Sequence, residues 1–177
     1  MQLFQPKHNR RILLLIFLLI SLPCPLWAQK LTAGQVVFRY QNQQQLEQFN
    51  LKAYKAGLVT NLTKGDSPEA TAGLQIYQIV ERVQGILGLH PKDLHVNLAL
   101  FDRVSEVQHV YRILYGKESD FVAFYSPRTE TVYISLQELH AGIIIHELTH
   151  AVIHHYYTEA TSVKVHELLA QYVENQF

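Results

Sequence analysis

His146, Glu147 and His150 stand in "HELTH", within a run from Gly142 to His155, "GIIIHELTHAVIHH", that otherwise reads as buried core. On an α-helix, residues four apart lie almost one above the other, so His146 and His150 project from one face and can reach one cation. Glu147 stands about 100° around from His146, so all three polar groups share one edge of the helix. Two neutral imidazoles at this separation suit Zn²⁺. A carboxylate beside them that does not ligate can take a proton from a metal-bound water. Without a metal or a charge partner, a glutamate buried there would cost on the order of several kcal/mol.

Two ligands from one helix need a third. A metzincin pattern would place glycine at position 153 and histidine at position 156, but the chain has Ile153 and Tyr156. The following segment "HELLAQYVE" offers Glu167, 17 residues after His150. A helix, a short turn and a returning helix would bring that carboxylate to the open side of the pair.

"HELTH" followed by a helix with Glu167, Leu168, Leu169 and Ala170 in a Glu-x-x-Ala pattern resembles the gluzincins, the thermolysin-like clan of zinc metallopeptidases. It is most similar to small bacterial members whose second helix reads E-G-L-A-x-Y, here "ELLAQY". The likeness spans roughly residues 120–177. It implies a compact zincin-like fold with a central active-site helix and a following ligand-bearing helix. It implies that His146, His150 and Glu167 ligate one Zn²⁺, that Glu147 is the general base, and that Ala170 lets the two helices pack closely. It also implies a substrate-binding edge strand, with Val122, Ala123, Phe124 and Tyr125 as the candidate. The chain departs from the family in having Leu168 for glycine. It also has Gln171 where the family often has an aspartate that orients a ligand histidine, so Gln171 is the expected orienting group.

The other polar residues nearby have plainer explanations. His154 and His155, near a helix end, read as cations favourable to its C-terminal carbonyls rather than as ligands. His166 is open between a supporting or oxyanion-donating role and a surface one. Tyr156, Tyr157 and Tyr172 are open between donating to an oxyanion and packing.

The elements that must position these groups follow from periodicity. "LEQFNLKAYKAGLV" and "SPEATAGLQIYQIVERVQGILGLH" have helical spacing, the second with Ser67 as N-cap, Pro68 at the first helical position and an end near Gly88. Leu94 to Leu100 alternates as a strand, "SEVQHVYRILYG" is a short helix closed by Gly116, and "FVAFYSPRTETVYIS" is a hairpin. Ser135 with Glu138 suggests a capping box for a helix from about Leu136 to His155. Val165, Leu168, Leu169, Tyr172 and Val173 suggest a last helix to about Asn175. The glutamine-rich stretch from Gln29 to Asn50 fits either a surface strand and helix start or a pro-segment. The class is α+β, with a small, mostly antiparallel sheet.

Lys7, Arg10 and Arg11, the apolar run Ile12 to Leu22 and the small Ala28 together have the form of a secretory signal, so export to the periplasm or the medium is expected. Membrane attachment is expected only if that segment is retained. Residues 29–177 then make one domain of ordinary size. Of 15 basic residues, 12 remain against 15 acidic ones, a net charge of −3, so nucleic acid is excluded as a partner. The lone cysteine, Cys24, leaves with the signal. Six of the nine remaining histidines lie from His140 to His166.

The expectation is an exported zinc metallopeptidase acting on peptides or proteins. The alternatives are an inactive zinc-stabilised envelope binding or assembly protein, and a metal-free interaction module with a buried polar network.

Overall fold

The computed structural model describes residues 29–33, 35–55, 67–157 and 161–177. The expected signal, residues 1–28 with Cys24, lies outside them, as does part of the break between the last two helices. The order of elements is β1 (Gln29–Ala33), β2 (Val36–Tyr40), α1 (Gln43–Lys55), α2 (Pro68–Leu87), β3 (Val96–Phe101), α3 (Val104–Tyr115), β4 (Ala123–Ser126), β5 (Thr131–Ser135), α4 (Ala141–Tyr156) and α5 (Val163–Glu174).

The strands form one sheet in the order β1-β2-β3-β5-β4. The class is α+β, but the expected antiparallel majority is corrected. Only the outer pairs, β1 with β2 and β4 with β5, are antiparallel; β2 with β3 and β3 with β5 are parallel. The cause lies in the connections. Parallel neighbours need crossovers, and α1 with α2 supplies one before β3 while α3 helps supply the other before β5.

Period-two alternation sorts side chains between the two faces. Val96, Leu98 and Leu100 of β3, with Val132 and Ile134 of β5, enter the main core shared with α1, α2, α4 and α5. Ala99, Phe101 and Phe124 face the other way, onto Val107 of α3, with Tyr111 and Tyr115 packed around them.

The glutamine-rich start is part of this sheet. Asn42 opens α1 by accepting the Gln45 N–H at 3.1 Å, and Gln45 reaches back to the Gln41 N–H at 2.8 Å. Phe38, Leu46 and Phe49 are then fully buried. Ser67 caps α2 by accepting the Ala70 N–H at 3.2 Å, and Gly88 closes that helix in the left-handed region, as expected. Among the described residues, no helix is long and apolar enough to cross a membrane.

One expectation about the last two helices is corrected. The Ser135–Glu138 capping box does not form, and α4 starts at Ala141 behind an extended His140 with no side-chain cap. Sheet pairing wins there, because the Ser135 N–H bonds Val122 and the Leu136 N–H bonds Phe101, burying Leu136 beyond the end of β5. The expected last helix forms, but of its expected apolar stripe only Val173 is fully buried. Val165, Leu168 and Tyr172 are exposed, and the helix packs inward on Ala170 and Val173.

Candidate metal centre

Helix α4 is anchored by Ile144, Ile145, Leu148, Ala151 and Val152, all in the main core. Their spacing leaves His146, Glu147 and His150 half-buried along the remaining edge. Helix α5 returns antiparallel to α4, its later residue Glu174 meeting Gly142 and its earlier residue Glu167 meeting the histidines. Fully buried Ala170 permits the close approach.

The three expected ligands converge. His146 Nε2 is 3.3 Å from one oxygen of Glu167, and His150 Nε2 is 3.4 Å from the other. The two rings are edge to face, with centroids 4.7 Å apart at 82°. Ligand atoms held tetrahedrally at zinc bond lengths stand about 3.4 Å apart. The observed separations match that spacing and are long for hydrogen bonds between the same atoms.

Burial pushes the His150 imidazolium down to about 3, helped by the charges of His146 and His166, so near neutral pH the ring offers a lone pair. Burial pushes the Glu147 carboxyl up to about 7, against the opposing effects of His146 and the Tyr125 N–H. Two imidazole nitrogens and a carboxylate make a donor set that fits a zinc-class cation.

Compared with family models, with curated proteins and with solved structures, the chain matches none. The site stands on its own geometry.

Around the ligands, expectation and structure part in places. The backbone N–H of Tyr125, from β4, donates to Glu147 Oε2 at 2.7 Å, tying the candidate substrate strand to the candidate base. Among Val122, Ala123, Phe124 and Tyr125, Phe124 points to the α3 face and Tyr125 to the α4 face. His166 stacks on His150 with centroids 5.7 Å apart and shares a short hydrogen bond with Thr161, so of the five expected supporting residues it is the one that meets a ligand. Tyr156 packs on Tyr157, and both are exposed, as are Tyr172 and Gln171.

The expected orienting position, Gln171, makes no contact with either histidine. Glu174 takes that place, its Oε2 lying 3.5 Å from His146 Nδ1. It stands two helical turns beyond Glu167, a spacing visible in the sequence but not singled out there. His154 lies in surroundings that oppose the expected helix-end cation. Burial lowers its proton affinity, and its Nδ1 lies 3.0 Å from the Tyr125 phenol, which burial keeps protonated. His155 does meet a late helix carbonyl, that of Ala151, at 2.9 Å.

Proposed function

We propose that the chain is an exported zinc metallopeptidase hydrolysing peptide bonds in a peptide or protein substrate. The observation that carries the reading is the convergence of His146, His150 and Glu167, with the Glu147 carboxylate beside them and pinned by Tyr125. Zinc held by those three residues supplies Lewis acidity toward a scissile carbonyl and lowers the pKa of a bound water toward about 7.

The chain's own residues do the rest. Glu147 takes up a proton and returns it to the leaving amine, the role of a general base that becomes a general acid. Its burial raises proton affinity toward neutrality, while a cation among the ligands pulls it back toward the charged form. The hydrogen bond from Tyr125 holds Oε2, so Oε1 is the oxygen that exchanges the proton. Glu174 orients His146. Strand β4 is a sheet edge; the Val122 carbonyl bonds β5, and the Tyr125 N–H points the opposite way. Alternation then turns the Ala123 N–H and both the Ala123 and Tyr125 carbonyls outward, where an extended peptide can pair with them.

A second reading has its own observation. Val165, Leu168 and Tyr172 expose apolar surface on the helix that carries Glu167, as a zinc-stabilised binding or assembly protein in the cell envelope would. One digest separates the two. Wild-type protein with zinc should cleave casein or a peptide library, and Glu147→Gln should keep its metal while losing at least about a hundredfold in turnover. Unimpaired hydrolysis by the variant sinks the mechanism. No hydrolysis by zinc-loaded wild type selects the binding protein.

A further inference from the structure

We propose that His95, Glu130 and His155 form a second cation site, for a divalent transition metal of the imidazole-preferring class, which staples the end of α4 to the sheet. One ligand atom from each of the three lies within 4.8 Å of those from the other two. The residues come from three places: the loop before β3, the β4–β5 turn and the last turn of α4.

Backbone carbonyls set both histidines in the ligating form. His155 Nδ1 is 2.9 Å from the Ala151 carbonyl and His95 Nδ1 is 2.8 Å from the Asp93 carbonyl, so each Nδ1 carries the proton and donates it. His155 Nε2 is thereby left to present its lone pair, the arrangement by which ligand histidines are held in metal sites. His155 Nε2 is buried and has no hydrogen-bond partner, an orphaned polar atom that needs an explanation. His95 Nε2 shares a proton with Glu130 Oε2, 2.5 Å away, so a cation bound here takes the place of that proton and moves the two ligand atoms apart. The His95 and His155 rings meet edge to face, with centroids 4.9 Å apart at 79°, close to the 4.7 Å and 82° of His146 with His150.

Glu130 is held in place by its backbone. Among the described residues it is the one non-glycine with positive φ, 48°, and its carbonyl accepts the Asn97 N–H at 2.9 Å. Glycine would relieve that conformation, yet the position carries the carboxylate that meets His95.

Two imidazoles and one carboxylate favour zinc, copper, nickel or cobalt over magnesium or calcium. His155 lies five residues beyond His150, about 140° around the helix, so the two clusters cannot share one ion. With a single cysteine the chain can form no internal disulfide, and a metal here would link segments otherwise far apart in sequence. The competing explanation is an imidazolium–carboxylate pair of His95 with Glu130, with His155 a bystander.

The probe is zinc chloride, titrated into protein purified without an affinity tag, with stoichiometry and melting temperature read together. Wild type should hold two zinc ions per chain, and His155→Ala, Glu130→Gln and Glu167→Ala one each. Glu130→Gln should melt below wild type with zinc present, and the gap should narrow in excess chelator, where only the His95 contact is lost. Should His155→Ala fail to fold, Glu130→Gln, on the partly exposed turn, carries the test. A zinc count unchanged by Glu130→Gln overturns the proposal. So does a melting gap that chelator leaves unchanged, which would establish the ion pair alone. One wild-type zinc that survives Glu167→Ala but is lost in Glu130→Gln supports this site while refuting the peptidase site. The reverse pattern refutes this site alone.

Discussion

Glu147 and His150 sit side by side and are pushed in opposite directions by the same burial. Water withdrawal disfavours the charged form of each, which raises a carboxyl and lowers an imidazolium. The consequences for stability have opposite signs. His150 contributes stability above its ordinary 6.5 that is lost as pH falls toward about 3. Glu147, folded at about 7 against an ordinary 4.5, holds a proton in the folded chain that the unfolded chain has released. Its contribution is complete below about 4.5 and is lost as pH rises through about 7. In metal-free protein the stability of wild type relative to Glu147→Gln should therefore fall by up to about 1.4 kcal/mol per pH unit across that window. Urea unfolding of both chains in chelator, from pH 4.5 to 7, measures the difference, in which the His150 effect cancels. A pH-independent difference would show that the carboxyl is not held protonated by burial.

At the scale of elements, the α4–α5 pair sets the ligand geometry, and one close approach, of Gly142 to Glu174, lies two helical turns beyond Glu167. A Cβ on Gly142 would collide with the Glu174 carboxylate, the group that reaches His146 Nδ1. Glu174→Ala should weaken zinc binding about 10- to 100-fold, while Gln171→Ala should leave it within about threefold. Gly142→Ala should weaken binding in the same direction without a matching loss of stability, since alanine is favoured in a helix by about 1 kcal/mol. Competition with a chromogenic chelator gives the affinities and thermal melts give the stabilities. Equal affinities for Glu174→Ala and wild type would remove Glu174 from the centre.

For the whole molecule, the surprise is how much of the core begins in a stretch that looked peripheral. Strand β2 lies between β1 and β3, and Phe38 packs edge to face on Phe49 at 5.6 Å, both fully buried. A detachable pro-segment would leave the remainder stable. Phe38→Ala should instead cost about 3–5 kcal/mol in denaturant unfolding. A cost below about 1 kcal/mol would mean that this segment is dispensable to the fold.

What the sequence determined by itself was local and periodic. His146, Glu147 and His150 share an edge because helix geometry dictates it, Ser67 and Gly88 bound α2 through their own backbone chemistry, and the hairpin follows from alternation around a turn. Tertiary structure decided wherever two local signals competed or partners were distant. Ser135 had a capping pattern but joined the sheet, since pairing with Val122 and burying Leu136 outweighed one helical turn. Val36, Phe38 and Tyr40 alternate as a surface strand would, but only pairing with β3 makes theirs an inner strand of the sheet. Glu174, rather than Gln171, meets His146 because the end of α5 closes on the start of α4. His95, Glu130 and His155 share no local pattern, and only the packing of a loop, a turn and a helix end brings them together.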